Sequence, residues 1–298
     1  MHRSILGLAI ITLSSLTACD DEICIDGECF SPDPDADLEL AAWLDWTTLP
    51  SPYGASWSTS SWWDRSGRAH HASVGDLSPV PLQAIGDTNV LHFHGHHNMS
   101  LAQEEGDALW TLEEEDYLIT MATSLDCFPG EPASDSHGVF EKFRPATEWP
   151  DAGAGPTFDV DDPGLDGGPR PIRAIVMACK PYYDGCYTAL RHEDTPATCG
   201  GDFQLFTLRR FTADGQSQFE ARVDGVSLGA AAAPPGNTGG GVLEFDSIGS
   251  PLRGRAAAVV AVKGNVDDAQ TCELEQFLLD RLVDAGLRES APDLGCAD

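Results

Sequence analysis

Two Asp-Gly pairs, Asp214-Gly215 and Asp224-Gly225, each stand between apolar runs of strand length, and they constrain the fold more than any other feature of the chain. A two-residue type I′ turn needs positive φ at both positions, which Asp and Gly adopt at little cost, so each pair ties its flanking runs into an antiparallel hairpin. Those runs are Phe203 to Phe211, Phe219 to Val223 and Val226 to Leu228. Val90 to His94, Tyr117 to Ala122, Arg173 to Ala178, Val242 to Phe245 and Ala256 to Val262 are further strand-length runs bounded by Gly, Pro or Asp. Many short strands joined by tight turns predict an all-β, antiparallel β-sandwich. One segment departs from this pattern. Ala269, Cys272, Leu274, Phe277, Leu278 and Leu282 recur at helical spacing, with Asp267 or Asp268 as N-cap and Gly286 past the end. A single C-terminal amphipathic helix is expected there.

The first residues read differently. Arg3 precedes an apolar run from Ile5 to Leu13, too short to span a bilayer as a helix but suited to a secretory signal. Leu16-Thr17-Ala18-Cys19 resembles the lipobox of bacterial lipoproteins. That resemblance implies cleavage before Cys19, a diacylglycerol on its sulfur and an acylated new amine, and several acyl chains make a stable anchor. The expected order is a signal peptide over 1–18, an acidic, Pro- and Cys-containing tether over 19–37, and a folded domain over 38–298. The tether runs DDEICIDGECFSPDPDAD after Cys19, and its like charges and prolines favour an extended spacer. Its partner is then a lipid bilayer, reached through acylated Cys19, in a bacterial cell envelope whose leaflet the sequence does not specify.

Setting Cys19 aside leaves Cys24, Cys29, Cys127, Cys179, Cys186, Cys199, Cys272 and Cys296, an even number. An exported chain meets an oxidising compartment, so disulfides are expected. Proximity points to Cys24 with Cys29 and Cys272 with Cys296, with the other four bridged among themselves. The spacings give no C-x-x-C pairs for a zinc site.

The charge narrows the partners. With 17 Lys+Arg against 48 Asp+Glu, the formal net charge is −31. Nucleic acid and anionic membrane faces both demand a basic surface, so unassisted binding to either is excluded as an expectation.

Several motifs recur in the order known from concanavalin A-like, laminin G-like jelly-roll domains. They are Trp43-Leu44-Asp45, Trp63-Asp64-Arg65-Ser66-Gly67-Arg68, Val90-Leu91-His92-Phe93-His94-Gly95 and Arg222-Val223-Asp224-Gly225. Ile248-Gly249 followed by Leu252 to Ala257, and Val266 to Gln270 opening the helix that ends near Leu282, complete the set. The chain resembles that family from about Leu38 to Leu287, which implies a jelly roll that binds glycan or protein. It departs from the family at Ala257-Ala258, where an acid is usual, and in insertions read over 121–139 and 145–171.

The superfamily includes glucanases with a Glu-x-Asp-x-x-Glu strand, in which alternate residues present two carboxylates on one face. Here the match is Glu244-Phe245-Asp246-Ser247-Ile248-Gly249, with glycine in the second Glu position. The motif is incomplete, so the reading leans away from an enzyme. Two stretches carry possible metal ligands. His92 and His94 share one face of a strand, with His70, His71, His96 and His97 near in sequence, and imidazoles at that spacing can bind transition metals. Asp159, Asp161, Asp162 and Asp166 on a Gly-rich stretch could supply oxygen ligands to calcium, although the EF-hand spacing is missing. Most of the seven tryptophans are expected in the core, with Trp149, between Glu148 and Pro150, the candidate for ligand stacking. The function expected is an exported, lipid-anchored binding or adhesion module; a glycan-active hydrolase with an atypical site and a purely structural envelope protein are the alternatives.

Overall fold

The computed structural model describes residues 23–25, 28–30, 38–54, 56–74, 78–95, 97–101, 116–126, 137–140, 157–160, 172–177, 187–192, 198, 200–232, 247–249 and 252–296. Cys19, Cys127, Cys179, Cys186, Cys199, Asp161, Asp162, Asp166, Trp149 and the strand expected over 242–245 lie outside the described residues.

In chain order the strands are β1 (Ile23–Ile25), β2 (Glu28–Phe30), β3 (Glu39–Asp45), β4 (Ser58–Thr59), β5 (Ser61–Trp62), β6 (Ala72–Ser73), β7 (Val80–Ile85), β8 (Thr88–His94), β9 (Met99–Leu101) and β10 (Tyr117–Leu125). They continue with β11 (His137–Phe140), β12 (Thr157–Val160), β13 (Ile172–Met177), β14 (Tyr187–His192), β15 (Gln204–Ala213), β16 (Gln216–Val223), β17 (Val226–Ala232), β18 (Ser247–Ile248) and β19 (Arg253–Lys263). One helix, α1 (Asp268–Asp284), follows.

A nine-stranded sheet runs β17-β16-β15-β10-β19-β8-β7-β4, and β3 also pairs with β19. The long β19 allows this, because β8 takes its first residues (Ala256 opposite Leu91) and β3 its last (Ala258 opposite Asp45) on the same edge. Two four-stranded sheets, β18-β9-β6-β5 and β11-β12-β13-β14, accompany it, and every pairing is antiparallel. Trp62, Ala72, Met99, Leu101 and Ile248 from the first and Phe158 from the second share one apolar core with Phe93, Ile119, Met121, Phe206 and Val259 of the large sheet. That is the sandwich the sequence predicted.

Both Asp-Gly pairs are hairpin turns, with Ala213 opposite Gln216 and Val223 opposite Val226. Asp214 (φ 52) and Asp224 (φ 48), each followed by a positive-φ glycine, have the signs a type I′ turn needs. β1 and β2 pair with Ile25 opposite Glu28 and Cys24 opposite Cys29.

β10 runs to Leu125, still paired with β19. Met121 to Leu125, read as the start of an insertion, are instead paired residues of a central strand. All nine β10 residues are buried, since a central strand covered on both faces reads as a continuous apolar run. Three of its polar side chains are bonded internally: Thr123 Oγ1 donates to the Arg255 carbonyl (2.7 Å), Ser124 Oγ to the Gly201 carbonyl (2.8 Å), and Thr120 and Thr207 bond each other (2.9 Å).

The second cover is α1. Leu274, Leu278, Leu279 and Leu282 pack on Trp43, Val90, Leu118, Leu205, Ala257, Ala258 and Val260, on the other side of the large sheet. Ala257 and Ala258, where the family resemblance expects an acid, lie in this apolar layer. Asp267 is the N-cap and forms a capping box with Gln270. The buried stripe includes Leu279, Thr271 and Glu275, while Ala269 is exposed, so the helix is turned relative to the stripe expected.

Thr271 and Glu275 face a buried ion network. Arg209 Nε donates to Glu220 Oε2 (2.7 Å), and the same guanidinium reaches Thr271, the Val266 carbonyl and Asp268. Arg222 Nε donates to Glu275 Oε2 (2.9 Å) and its Nη1 to Glu220 Oε1 (3.3 Å). Burial pushes the Glu275 carboxyl above its ordinary range, and the Arg222 charge pulls it back. Cys272 of the helix is bonded to Cys296, the pair that proximity indicated.

Candidate functional site

The Trp63 to Arg68 motif builds a corner around Asp64. Asp64 accepts from the backbone N–H groups of Trp43 (2.8 Å), Ser66 (2.9 Å) and His70 (3.0 Å) and from Ser66 Oγ (2.6 Å). A carboxylate holding four donors is a loop staple. His71 Nδ1 accepts from the Asp64 N–H (2.9 Å), and the His70 Nδ1 lies 2.5 Å from the Ala41 carbonyl. The neighbouring Asp45 carboxylate, buried, is met by Arg65 (3.0 Å) and Arg281 (3.3 Å).

This scaffold fixes a turn of chain between two sheets. Residues 58–59 form the edge strand of the large sheet, residues 61–62 the edge of a small one, and the Ser60 carbonyl between them accepts from Val74 N–H (3.1 Å). Trp62 points into the core and donates Nε1 to the Asp45 carbonyl (2.8 Å). Its neighbours point out: Trp57 is 85% exposed, Trp63 54% and Tyr53 81%. Each is held by its backbone or ring. Leu82 N–H donates to the Trp57 carbonyl (2.9 Å), Thr48 Oγ1 to the Trp63 carbonyl (3.1 Å), and His71 stands edge-on to Trp63 at 4.4 Å. Tyr53 bonds through its hydroxyl to Asp87, and that hydrogen bond, helped by the Asp87 charge, pushes the phenol above its ordinary range. Of the five described tryptophans, Trp43 and Trp62 are buried and Trp46 packs against the core, as most were expected to, while Trp57 and Trp63 are exposed. The signal was available in the alternation of strand side chains, which sends adjacent Trp62 and Trp63 to opposite faces.

A second cluster lies where β8 meets the start of β19. His92 and His94 do share a face, with ring centroids 4.2 Å apart and Phe93 buried on the other side. Arg255 stands opposite His92 and Arg253 opposite His94. His92 Nε2 meets Asp126 Oδ2 at 2.9 Å, and His97 lies 5.5 Å from the His94 ring. Arg255 donates to Ser124 Oγ (2.5 Å), and its Nε is buried without a hydrogen-bond partner among the described residues. Gly95, at φ +80, brings no Cβ to the place where the Arg253 side chain crosses it; a Cβ there would come within 2.9 Å of Arg253 Nε. Asp126, Arg253 and Arg255 were not singled out by the sequence, because only pairing register brings them beside the histidines. Among the described residues, no group of three or more His, Cys, Asp or Glu is arranged to hold a metal ion. Of the calcium candidates only the backbone of Asp159, in β12, is described.

At the incomplete glucanase motif, Gly249 has φ +104, and a Cβ would approach Phe93 Cε1 to 2.1 Å. The position expected to carry a second carboxylate is filled by the Phe93 ring. Glu244 and Asp246 lie outside the described residues.

The fold is similar to the binding domain of Paraclostridial Mosquitocidal Protein 1, with TM-score 0.54 and 8% identity over 81% of this chain and 53% of that one. It is also similar to the binding domain of botulinum neurotoxin serotype D, with TM-score 0.51 and 9% identity over 81% of this chain and 51% of that one. Domain 4 of AbnA, an extracellular arabinanase from Geobacillus stearothermophilus, in complex with arabinotriose, aligns at TM-score 0.47 and 12% identity over 80% of this chain and 99% of that one. The chain spans about half the length of the two toxin domains it matches. At such identities the likeness defines the class alone, an all-β sandwich. No family model matches the sequence, and no curated protein does.

Proposed function

We propose that the chain is an exported, lipid-anchored binding or adhesion module of a bacterial cell envelope, and that the corner carrying Trp57 and Trp63 receives its ligand, a glycan or a protein. The carrying observation is the pair of exposed indoles on a corner pinned to both sheets. Helix α1 covers the opposite face of the large sheet, so the open face of a jelly-roll sheet is not the favoured site. Two solved domains of similar fold are themselves binding domains, which supports the class of function. The anchor rests on Leu16-Thr17-Ala18-Cys19.

A glycan array and a surface-protein panel, probed with the exported chain with and without calcium, test the reading. Binding lost in Trp57→Ala and Trp63→Ala, with thermal stability kept, is the expected result. No ligand on either panel, or binding indifferent to both substitutions, overturns it. Mass spectrometry of the mature N-terminus tests the anchor; an unmodified Cys19 refutes it.

A further inference from the structure

Ser61 pairs with Ser73 and Trp62 with Ala72, so the next step along that register sets Trp63 opposite His71, and their rings meet edge-on at 4.4 Å. Trp62 and Ala72 are buried, and by alternation Ser61, Trp63, His71 and Ser73 take the outer face of the small sheet. Ser100, the partner of Ser73 on β9, continues that face, and both serines are exposed. The pairing also fixes the tautomer of His71. Its Nδ1 accepts from the Asp64 N–H (2.9 Å), and a backbone N–H can only donate, so the ring proton sits on Nε2. That Nε2–H has no hydrogen-bond partner among the described residues and is not a buried atom. A donor held in place by the backbone thus stands beside an indole that is 54% exposed. The charges of the motif are already answered: Arg65 pairs with Asp45 (3.0 Å), Arg68 with Glu39 (3.4 Å), and Asp64 holds four donors.

We infer that Trp63 and His71 form a subsite for an uncharged saccharide, whose ring lies on the indole while one of its oxygens accepts from His71 Nε2–H and whose chain runs on over Ser73 and Ser100. This rests on the reading that the tryptophan corner receives the ligand, and it chooses glycan over protein. The negative face of an indole attracts the weakly positive C–H groups along one side of a sugar ring, and a single placed donor beside it fixes the orientation. An acidic glycan is disfavoured, because a chain of net charge −31 repels it and the guanidiniums of the motif are paired.

Frontal affinity chromatography of the full exported chain in detergent tests this on immobilised β-glucan, arabinan and mannan, with polygalacturonate as the acidic comparison. Retention on at least one neutral column, stronger than on polygalacturonate and abolished in Trp63→Ala, is expected. In His71→Asn the amide oxygen keeps an acceptor for the Asp64 N–H while the outer donor is lost, so retention should weaken about fivefold, the worth of one neutral hydrogen bond, at unchanged Tm. Trp63 is exposed, so Trp63→Ala keeps the test alive should the histidine variant fail to fold. Stronger retention on polygalacturonate, no retention on any column, or retention indifferent to His71→Asn overturns the inference. A surface protein whose binding Trp63→Ala abolishes, with no polysaccharide retained, sinks the saccharide assignment alone; ligand binding indifferent to both Trp57→Ala and Trp63→Ala sinks the broader reading with it.

Discussion

Replacing both cysteines of the described bridge, Cys272→Ala with Cys296→Ala, leaves every native contact of the tail in place and removes only the covalent tie. The bridge closes 24 residues, and the loop-entropy relation for that length gives about 3.5 kcal/mol at 25 °C. For a domain of this size that corresponds to a fall in Tm of roughly 7–14 °C. The native side of the balance is nearly unaffected, because the tail has independent holds. Leu294 N–H donates to Gln276 Oε1 (2.9 Å), and the Leu294 methyls lie over Gly225, where a Cβ would come within 2.4 Å. Arg288 donates to the Phe203 carbonyl (3.0 Å) and to Asp224 (2.8 Å). Urea unfolding under non-reducing conditions measures the difference, with an unchanged m-value expected for a native state of unaltered compactness. A loss below about 1 kcal/mol with unchanged m would show that the tie does not restrict the unfolded chain as the relation assumes.

Three further outcomes follow from buried groups. Gly249→Ala combines a side chain at φ +104 with overlap on Phe93, and should cost roughly 2–5 kcal/mol in chemical denaturation; a neutral result would refute the close packing there. Tyr117→Phe removes a buried hydroxyl with no partner among the described residues, and a gain of about 1 kcal/mol is expected, whereas a comparable loss would reveal an acceptor for it. Glu275 has a folded-state carboxyl raised by burial, so its contribution to stability is present below its unfolded value and lost as pH rises through the folded one. Glu275→Gln should therefore flatten the decline in stability measured as pH rises above the ordinary carboxylate range; matching pH profiles for the two proteins would count against it.

Local chemistry carried much of the fold. Asp214-Gly215 and Asp224-Gly225 needed only their own φ preferences to turn the chain, and Asp267 with Gln270 needed only four consecutive residues to cap α1. Cys272 and Cys296 paired as their proximity indicated. The candidate sites were less legible. His92 and His94 share a face by simple alternation, but Arg253, Arg255 and Asp126 join them through the register of β19 and the end of β10, far away in sequence. Trp62 and Trp63 differ by one position, and which of the two is buried depends on where a second sheet closes over the strand.

The sequence alone determined the two Asp-Gly turns, the single helix and several of the strands, because these depend on neighbours a few residues apart. Tertiary structure decided which faces are closed. Helix α1 seals one side of the large sheet, Phe93 occupies the space beside Gly249, and Trp57 and Trp63 are left to solvent. Burial is a property of what packs from elsewhere in the chain, and strand pairing between distant residues sets it.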